Sequence, residues 1–236
     1  MTIEAEWWDY DDHDEMADAV AGDVGFIIDS ALEARDSALI ALPGGTTPLA
    51  AYDRLAAQKR KWKDVTIIPT DDRLVDVTNP LSNVAMLAKR FLPLGARVVP
   101  LTGGTAAADY RMSGKAADAR LADLPFPLDL VWLGVGDDGH TASIFAGPDL
   151  DEALNGPKER RALGVMPDPM PKNAPVARIT LSKAAILSAR TLTLAFTGQA
   201  KRDLVERALK DGALSATPIG RVLADSDLAV DIHWAA

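Results

Sequence analysis

The segment 129–143, in which an apolar run meets a glycine-rich turn, constrains the fold of this chain more than any other. Residues Leu130–Leu133 form an apolar run of the kind that fills a buried strand. Three glycines follow within the next six residues, and glycine lets the backbone turn tightly or approach a ligand closely. Asp137, Asp138 and His140 lie in the same turn. Because open α/β sheets place their chemistry where strands end, the segment predicts a strand followed by a functional loop.

Two other interpretations of this turn have to be weighed. The first is a solvated acidic loop, since adjacent carboxylates usually lie at the surface. The second is a dinucleotide-binding fingerprint, because Gly134, Gly136 and Gly139 match the spacing G-x-G-x-x-G. Asp137 and Asp138 argue against the fingerprint, because their charges would repel a pyrophosphate where a helix N-terminus should attract it. The acidic surface loop stays open at this point.

A second strand–turn–helix unit lies earlier in the chain. Residues 37–42 are typical of a short apolar strand and residues 49–57 of a helix, with Pro43-Gly-Gly-Thr-Thr-Pro48 between them. Pro48 suits the first helical position and Thr47 suits the N-cap. The turn has no acidic residue, so its backbone N–H groups and threonine hydroxyls could bind an anion such as phosphate. An ordinary capped turn would explain the same residues, and both interpretations stay open.

A third predicted strand, residues 65–68, is followed closely by Asp71, Asp72 and Arg73. Such a run of charges is most often an ion cluster at the protein surface. Its place at the end of a strand also makes it a candidate for a site, because the carboxyl ends of parallel strands meet at one edge of a sheet.

Apolar periodicity divides most of the chain into alternating helices and strands. Residues 14–34 repeat apolar side chains at steps of three or four, which predicts an amphipathic helix. Six prolines between residues 147 and 176 predict irregular structure that could form a flap. Further helices are expected at 84–91, 106–124 (interrupted at Ser113-Gly114), 182–187 and from 198 onward, and further strands at 97–101, 128–133, 178–181, 191–196 and 228–232. This alternation predicts an α/β fold with a mostly parallel sheet in a three-layer sandwich.

Composition narrows the classes of partner. The chain of 236 residues has a formal net charge of −9, which argues against a general nucleic-acid binder but allows a local basic pocket for an anion. It has no cysteine, and therefore no disulfide, thiolate nucleophile or cysteine metal site. The acidic start of the chain is unlike a signal peptide, and no apolar run is long enough to span a membrane. We expect a cytoplasmic protein without nucleic acid or membrane as partner.

Five segments of the chain carry distinctive motifs. In order they are Pro43-Gly-Gly-Thr-Thr-Pro48, Thr70-Asp-Asp-Arg73, Gly134-Val-Gly-Asp-Asp-Gly-His-Thr-Ala-Ser143, Arg178-Ile-Thr-Leu181 and Gly198-Gln-Ala-Lys201. Together they resemble the 6-phosphogluconolactonase family. The third segment is the most specific, and the resemblance covers most of the chain. It implies a single domain over residues 1–236 with the Rossmann-like fold shared with glucosamine-6-phosphate deaminase. It also implies hydrolysis of the sugar phosphate lactone 6-phospho-D-glucono-1,5-lactone to 6-phospho-D-gluconate, in the pentose phosphate pathway.

The resemblance implies roles for individual residues as well. His140 would be the general base that activates water, with Asp138 beside it, and Asp71 and Arg73 would complete the catalytic set. Substrate and phosphate contacts would come from the first turn and two basic residues: Gly44, Gly45, Thr46, Thr47, Arg178 and Lys201. The reaction needs no metal ion, the sequence offers no convincing metal site, and we expect no cofactor. The family usually has glutamate at positions 72 and 137 and serine at 46, where this chain has Asp72, Asp137 and Thr46.

Two alternative functions can be compared with this one. Glucosamine-6-phosphate deaminase shares the fold, but there a glutamate follows the motif histidine by about five positions. Phe145 holds that position here and cannot transfer a proton. A non-catalytic sugar-phosphate-binding module, such as the effector domain of a transcription regulator, would need a DNA-binding module. Residues 1–36 offer only one acidic helical segment for that purpose.

Overall fold

The protein is an α/β sandwich built on a seven-stranded sheet, seen in a computed structural model that describes residues 3–103 and 109–236. The strands are β1 (Ala5–Tyr10), β2 (Ala38–Leu42), β3 (Val65–Pro69), β4 (Asp71–Arg73), β5 (Arg97–Val98), β6 (Leu130–Leu133), β7 (Ala162–Val165), β8 (Arg178–Leu181), β9 (Leu192–Thr197) and β10 (Val230–Ala235). The helices are α1 (His13–Arg35), α2 (Leu49–Ala57), α3 (Asn83–Phe91), α4 (Tyr110–Leu121), α5 (Leu150–Asn155), α6 (Lys183–Leu187), α7 (Gln199–Asp211) and α8 (Pro218–Leu223).

The large sheet has the strand order β1-β10-β9-β6-β2-β3-β5, and its neighbouring strands all pair in parallel. Helices cover both of its faces. In β2, for example, Leu39 and Ala41 face the apolar layer that includes α4, α7 and α8, whereas Ile40 and Leu42 face the layer of α1, α2 and α3. Every residue of β2 is buried, as expected for a central parallel strand. The predicted mostly parallel three-layer α/β fold is therefore confirmed.

The central strands bring the predicted functional segments together. The neighbours β9, β6, β2 and β3 run in the same direction, so their carboxyl ends lie at one edge of the sheet. The segments that follow these strands begin at Pro43, Thr70, Gly134 and Gly198. An edge of this kind, at the carboxyl ends of parallel strands, is where α/β sheets bind ligands.

Several predicted boundaries shift in the structure. The predicted strands at 97–101 and 228–232 are Arg97–Val98 and Val230–Ala235. The assignment of Thr47 as N-cap and Pro48 as first helical residue is wrong, because α2 begins one residue later, with Pro48 itself at the N-cap. The reason is a turn that precedes the helix, in which the backbone N–H of Leu49 donates to the carbonyl of Thr46.

The segment 147–176 is more regular than its prolines predicted. It contains α5 and β7, and β7 joins β4 and β8 in a second, antiparallel sheet of three strands. The edge strand β1 and the short helix α8 were not predicted either. In β1 all six residues are exposed or half-buried and two of them are acidic, so its apolar pattern is weak. The start of α8 carries a recognisable signal, since Thr217 is its N-cap and Pro218 its first residue.

Helix α4 is continuous, so the predicted interruption at Ser113-Gly114 is wrong. Its predicted start at 106 falls among residues 104–108, which lie outside the described residues. Gly114 is there for packing, because a Cβ at this position would overlap the backbone of Gly164 in β7. A Cβ at Gly164 would in turn overlap the carbonyl oxygen of Tyr110. Two glycines thus allow the helix and the strand to approach backbone to backbone.

None of the helices within the described residues is both long and apolar enough to cross a membrane.

The contact between Gly114 and Gly164 predicts that alanine at position 164 destabilises the protein, whereas alanine at a control position stabilises it. Gly164→Ala should lower the free energy of unfolding by about 1–3 kcal/mol, because the methyl group overlaps backbone that cannot move away cheaply. Gly22→Ala is the control, since it lies in the interior of α1 with nothing within 4 Å of its Cβ position. It should raise the free energy of unfolding by about 0.5–1 kcal/mol through helix propensity. Urea unfolding measures both, and a stable Gly164→Ala variant would contradict the packing argument.

Candidate active site

A cavity of about 370 Å³ opens at the carboxyl ends of the four central strands. Of the site residues predicted from sequence, all but Asp138 line it: Gly44, Gly45, Thr46, Thr47, Asp71, Arg73, His140, Arg178 and Lys201. Asp138 reaches the cavity through its contact with His140. Gly44 and Lys201, which are 157 positions apart in the chain, both line the cavity because the strands before them belong to the same set of parallel neighbours.

The turn after β6 has a closely fixed backbone. Gly136 accepts a hydrogen bond from the N–H of Gly139 (3.0 Å) and donates its own N–H to the carbonyl of His140 (2.9 Å). Gly139 has φ of +76°, which glycine adopts without strain, and a Cβ there would lie 2.5 Å from the Cβ of Thr217. The Thr141 hydroxyl donates to the carbonyl of Gly134 at 2.9 Å. These contacts exclude a loosely solvated acidic loop.

Asp138 and His140 form a hydrogen-bonded pair in this turn. The Nδ1 of His140 lies 2.5 Å from Oδ1 of Asp138, which also accepts the backbone N–H of His140 at 3.1 Å. The hydrogen bond from the imidazole holds the pKa of the Asp138 carboxyl below its usual value. Asp138 is therefore an anion at neutral pH and keeps a proton on Nδ1, which leaves Nε2 as the basic nitrogen. Among the described residues, Nε2 of His140 has no hydrogen-bond partner.

The glycine–threonine turn after β2 is held from two sides. Gly45 has φ of +92°, and the Nε2 of His13, at the start of α1, lies 2.8 Å from the carbonyl oxygen of Thr47. Gly44 packs directly against the side chain of Asn83, so a Cβ at Gly44 would overlap the amide. The turn is therefore shaped by its neighbours, and the small residues at 44 and 45 are required by that shape.

Asp71 and Asp72 are buried, so the surface ion cluster considered from the sequence is ruled out. Asp71 accepts the hydroxyl of Ser143 at 2.5 Å and faces the cavity. Asp72 points away from it and accepts the backbone N–H groups of Asn83 (2.6 Å) and Val84 (3.1 Å) at the start of α3. Burial raises the pKa of the Asp72 carboxyl, and these N–H groups oppose the rise.

Two guanidinium groups border the same side of the cavity. Arg73 donates from Nη1 to the carbonyl of Leu81 (2.8 Å) and to Oδ1 of Asn83 (3.0 Å). Arg178, only 3% exposed, donates to the carbonyls of Val176 (2.6 Å) and Ala174 (2.8 Å). Burial lowers the pKa of Arg178, and the nearby carboxylate of Asp71 opposes this. Both cations are fixed in position by protein carbonyl or amide oxygens before any ligand binds.

Lys201 supplies a third positive charge from the first turn of α7. Its Nζ lies 3.4 Å from Oδ1 of Asp137, whose side chain is 95% exposed. So exposed an ion pair contributes little to stability, and the lysine can exchange this partner for an anionic ligand. The two adjacent carboxylates of the motif therefore have different contacts, Asp137 with Lys201 and Asp138 with His140.

The sequence analysis did not identify some residues that shape the cavity. Asn83 bridges Arg73 to the backbone of Asp71, and its place just after the helix cap gave no sign of this. Trp132 lines the cavity, and its buried Nε1 has no partner among the described residues. Three residues of the proline-rich segment also line it: Pro171, Asn173 and Ala174.

Within residues 3–103 and 109–236, no three His, Asp or Glu side chains are grouped so as to hold a metal ion.

Taken together, the fold and the cavity define an α/β protein in which the Asp138–His140 pair lies beside three cationic side chains. The family model described as glucosamine-6-phosphate isomerases/6-phosphogluconolactonase matches residues 11–234. The chain is 34% identical to 6-phosphogluconolactonase of Mesorhizobium japonicum over 97% of its length and 94% of that protein. It also resembles a crystal structure of a 6-phosphogluconolactonase from Shewanella baltica, with a TM-score of 0.89, 30% identity and full coverage of both chains. The chain belongs to this family of glucosamine-6-phosphate isomerases and 6-phosphogluconolactonases.

The fold is also similar to that of a glucosamine-6-phosphate deaminase. A monomeric glucosamine-6-phosphate deaminase superposes with a TM-score of 0.77 over 98% of this chain, at 16% sequence identity. The similarity of fold to the deaminases, expected from the sequence, is thereby confirmed.

The contact between Gly44 and Asn83 predicts non-additive substitutions. Gly44→Ala should lower the free energy of unfolding by about 1–3 kcal/mol, because its methyl group overlaps the Asn83 amide. Asn83→Ala should also destabilise, since Arg73 loses a hydrogen-bond acceptor. In the double variant the overlap is gone, so the total loss should fall short of the sum by about 1 kcal/mol or more. Losses that add to within about 0.3–0.5 kcal/mol would contradict this account.

Proposed function

We propose that this protein hydrolyses 6-phospho-D-glucono-1,5-lactone to 6-phospho-D-gluconate, a step of the pentose phosphate pathway. The observation that carries the proposal is the Asp138–His140 pair, which leaves Nε2 of the imidazole available beside a cavity with three cationic side chains. This arrangement offers a base for water and positive charge for a phosphorylated substrate. The relatives named 6-phosphogluconolactonase support the same activity.

The reaction needs only modest help, because a lactone is an activated ester. Water attacks C1 while Nε2 of His140 takes its proton, and Asp138 stabilises the resulting imidazolium. The tetrahedral oxyanion then collapses and the bond between C1 and the ring oxygen breaks. The ring oxygen takes the proton back from His140 and becomes a hydroxyl group, and the new carboxylic acid ionises. Asp71 and Arg73, which face the cavity, complete the catalytic set by contacting the sugar.

The phosphate group is held by the glycine–threonine turn, with Arg178 and Lys201. Gly44, Gly45, Thr46 and Thr47 line the cavity and include no acidic side chain, so their N–H and hydroxyl groups suit an anion. Lys201 provides a flexible charge that exchanges Asp137 for phosphate. Arg178 is a fixed positive charge, already oriented by two carbonyl groups.

We further propose that the protein acts in the cytoplasm on this small molecule. Its net charge of −9 is unfavourable for binding nucleic acid.

The experiment that tests the proposal is a pH-stat assay with freshly generated lactone. One proton is released per turnover, and the rate is corrected for spontaneous hydrolysis. A parallel assay follows ammonia release from glucosamine 6-phosphate. Hydrolysis without ammonia release supports the proposal. Ammonia release without lactone hydrolysis refutes it and assigns the protein to the deaminases.

The base assignment predicts the effect of His140→Gln. Glutamine keeps a polar side chain of similar size but cannot take a proton, so kcat should fall about 10²–10⁴-fold. Circular dichroism checks that the variant is folded. A folded His140→Gln protein with nearly normal kcat would refute the assignment.

The phosphate site predicts a change mainly in KM for Lys201→Ala. A contact remote from C1 binds the ground state and the transition state alike, so KM should rise about tenfold or more while kcat changes little. Lys210→Ala is the matched control, because it removes the same charge from an exposed position in the last turn of α7. The unphosphorylated lactone should show no such difference between the variants. An unchanged KM for the phosphorylated lactone in Lys201→Ala would show that Lys201 does not bind the phosphate.

A further inference from the structure

Phe145 packs face to face against the imidazole of His140. The ring centroids lie 4.2 Å apart and the ring planes differ by 28°, so the two rings are stacked. We propose that Phe145 is a positioning residue for the base, which holds the imidazole in place and stabilises its protonated form. This inference rests on the proposed function, in which His140 takes a proton from water.

The local backbone explains why residues five positions apart are stacked. After His140 the chain reverses in a tight turn, in which the N–H of Ile144 donates to the carbonyl of Thr141 at 2.9 Å. The chain can reverse here because Ala142 has φ of +48°, a left-handed conformation that is uncommon for residues other than glycine. Thr141 and Ile144 form an isolated antiparallel bridge. The turn thus returns the chain to His140 and places Phe145 over its ring.

The imidazole is then restrained on several sides. Asp138 holds Nδ1, and Phe145 covers a face of the ring. Gly136 lies so close that a Cβ there would overlap Cε1 and Nδ1 of the imidazole. Rotation of the ring is therefore restricted, and the unpartnered Nε2 keeps a defined direction. A base that must accept a proton from water at a fixed point benefits from such restraint.

The stack also acts on the charge of the base. When His140 becomes an imidazolium, the negative face of the Phe145 ring attracts the cation. A leucine at this position would keep the apolar bulk and lose that attraction, so the pKa of His140 should fall. The charged groups around the base from each contributing element are Asp137, Asp138, Lys201, Asp71, Arg73 and Arg178. None of them is altered by the substitution, so a change in the pKa of His140 measures the effect of the aromatic ring on the imidazolium.

The test compares Phe145→Leu with Phe145→Tyr. In Phe145→Leu, kcat should fall about three- to tenfold with KM nearly unchanged, and the pKa of His140 measured by NMR in the free protein should fall by about half a unit. Phe145→Tyr keeps the ring and should restore both values. Phe126→Leu is the matched control, because it removes a half-buried aromatic ring outside the cavity, and both values should stay at the wild-type level.

The outcomes separate this inference from the proposed function. A wild-type kcat and a wild-type pKa of His140 in Phe145→Leu would overturn it. A loss of kcat that Phe145→Tyr shares, without a change in the pKa of His140, would also overturn it and indicate packing alone. If Phe145→Leu does not fold, Phe145→Met provides the same comparison with a flexible apolar side chain. If the wild-type protein lacks lactonase activity, the proposed function fails, whereas the NMR titration still measures the stack.

Discussion

The parallel alignment of β9, β6, β2 and β3 is the constraint on which the rest of the structure depends. Because these neighbours share one direction, the four segments that follow them meet at one edge of the sheet. Each strand is buried almost throughout, so a shift of register would be opposed by the packing of both faces. The cavity is a consequence of this alignment, and its residues need no long loops to reach one another.

In each of two pairs of adjacent aspartates, the two carboxylates have different contacts. The adjacent carboxylates Asp137 and Asp138 contact a lysine and a histidine respectively. Asp71 faces the cavity, whereas the next residue, Asp72, holds the start of α3. Buried carboxylates are costly unless they accept hydrogen bonds, and the carboxylates of Asp71 and Asp72 each accept several. In the second pair, therefore, Asp71 serves the cavity and Asp72 supports the framework.

Much of this could be predicted from the sequence, because the strand–turn–helix pattern is local and the motif segments are specific. Residues whose role depends on packing could not. Gly114 looked like a break in a helix, and its reason is the distant backbone of Gly164. Asn83 directly precedes the helix predicted at 84–91, and its side chain proves to bridge Arg73 and Asp71. Segments rich in proline, such as 147–176, hide short elements that tertiary contacts stabilise.

We propose that the substrate lies with its phosphate at the glycine–threonine turn and its C1 at His140. A crystal structure with 6-phospho-D-gluconate tests it most directly. We expect the phosphate oxygens at about 2.7–3.2 Å from Lys201 Nζ and from backbone N–H groups of the turn at Gly44–Thr47, with the C1 carboxylate facing Nε2 of His140. A product bound in the opposite direction, or outside this cavity, would contradict the account.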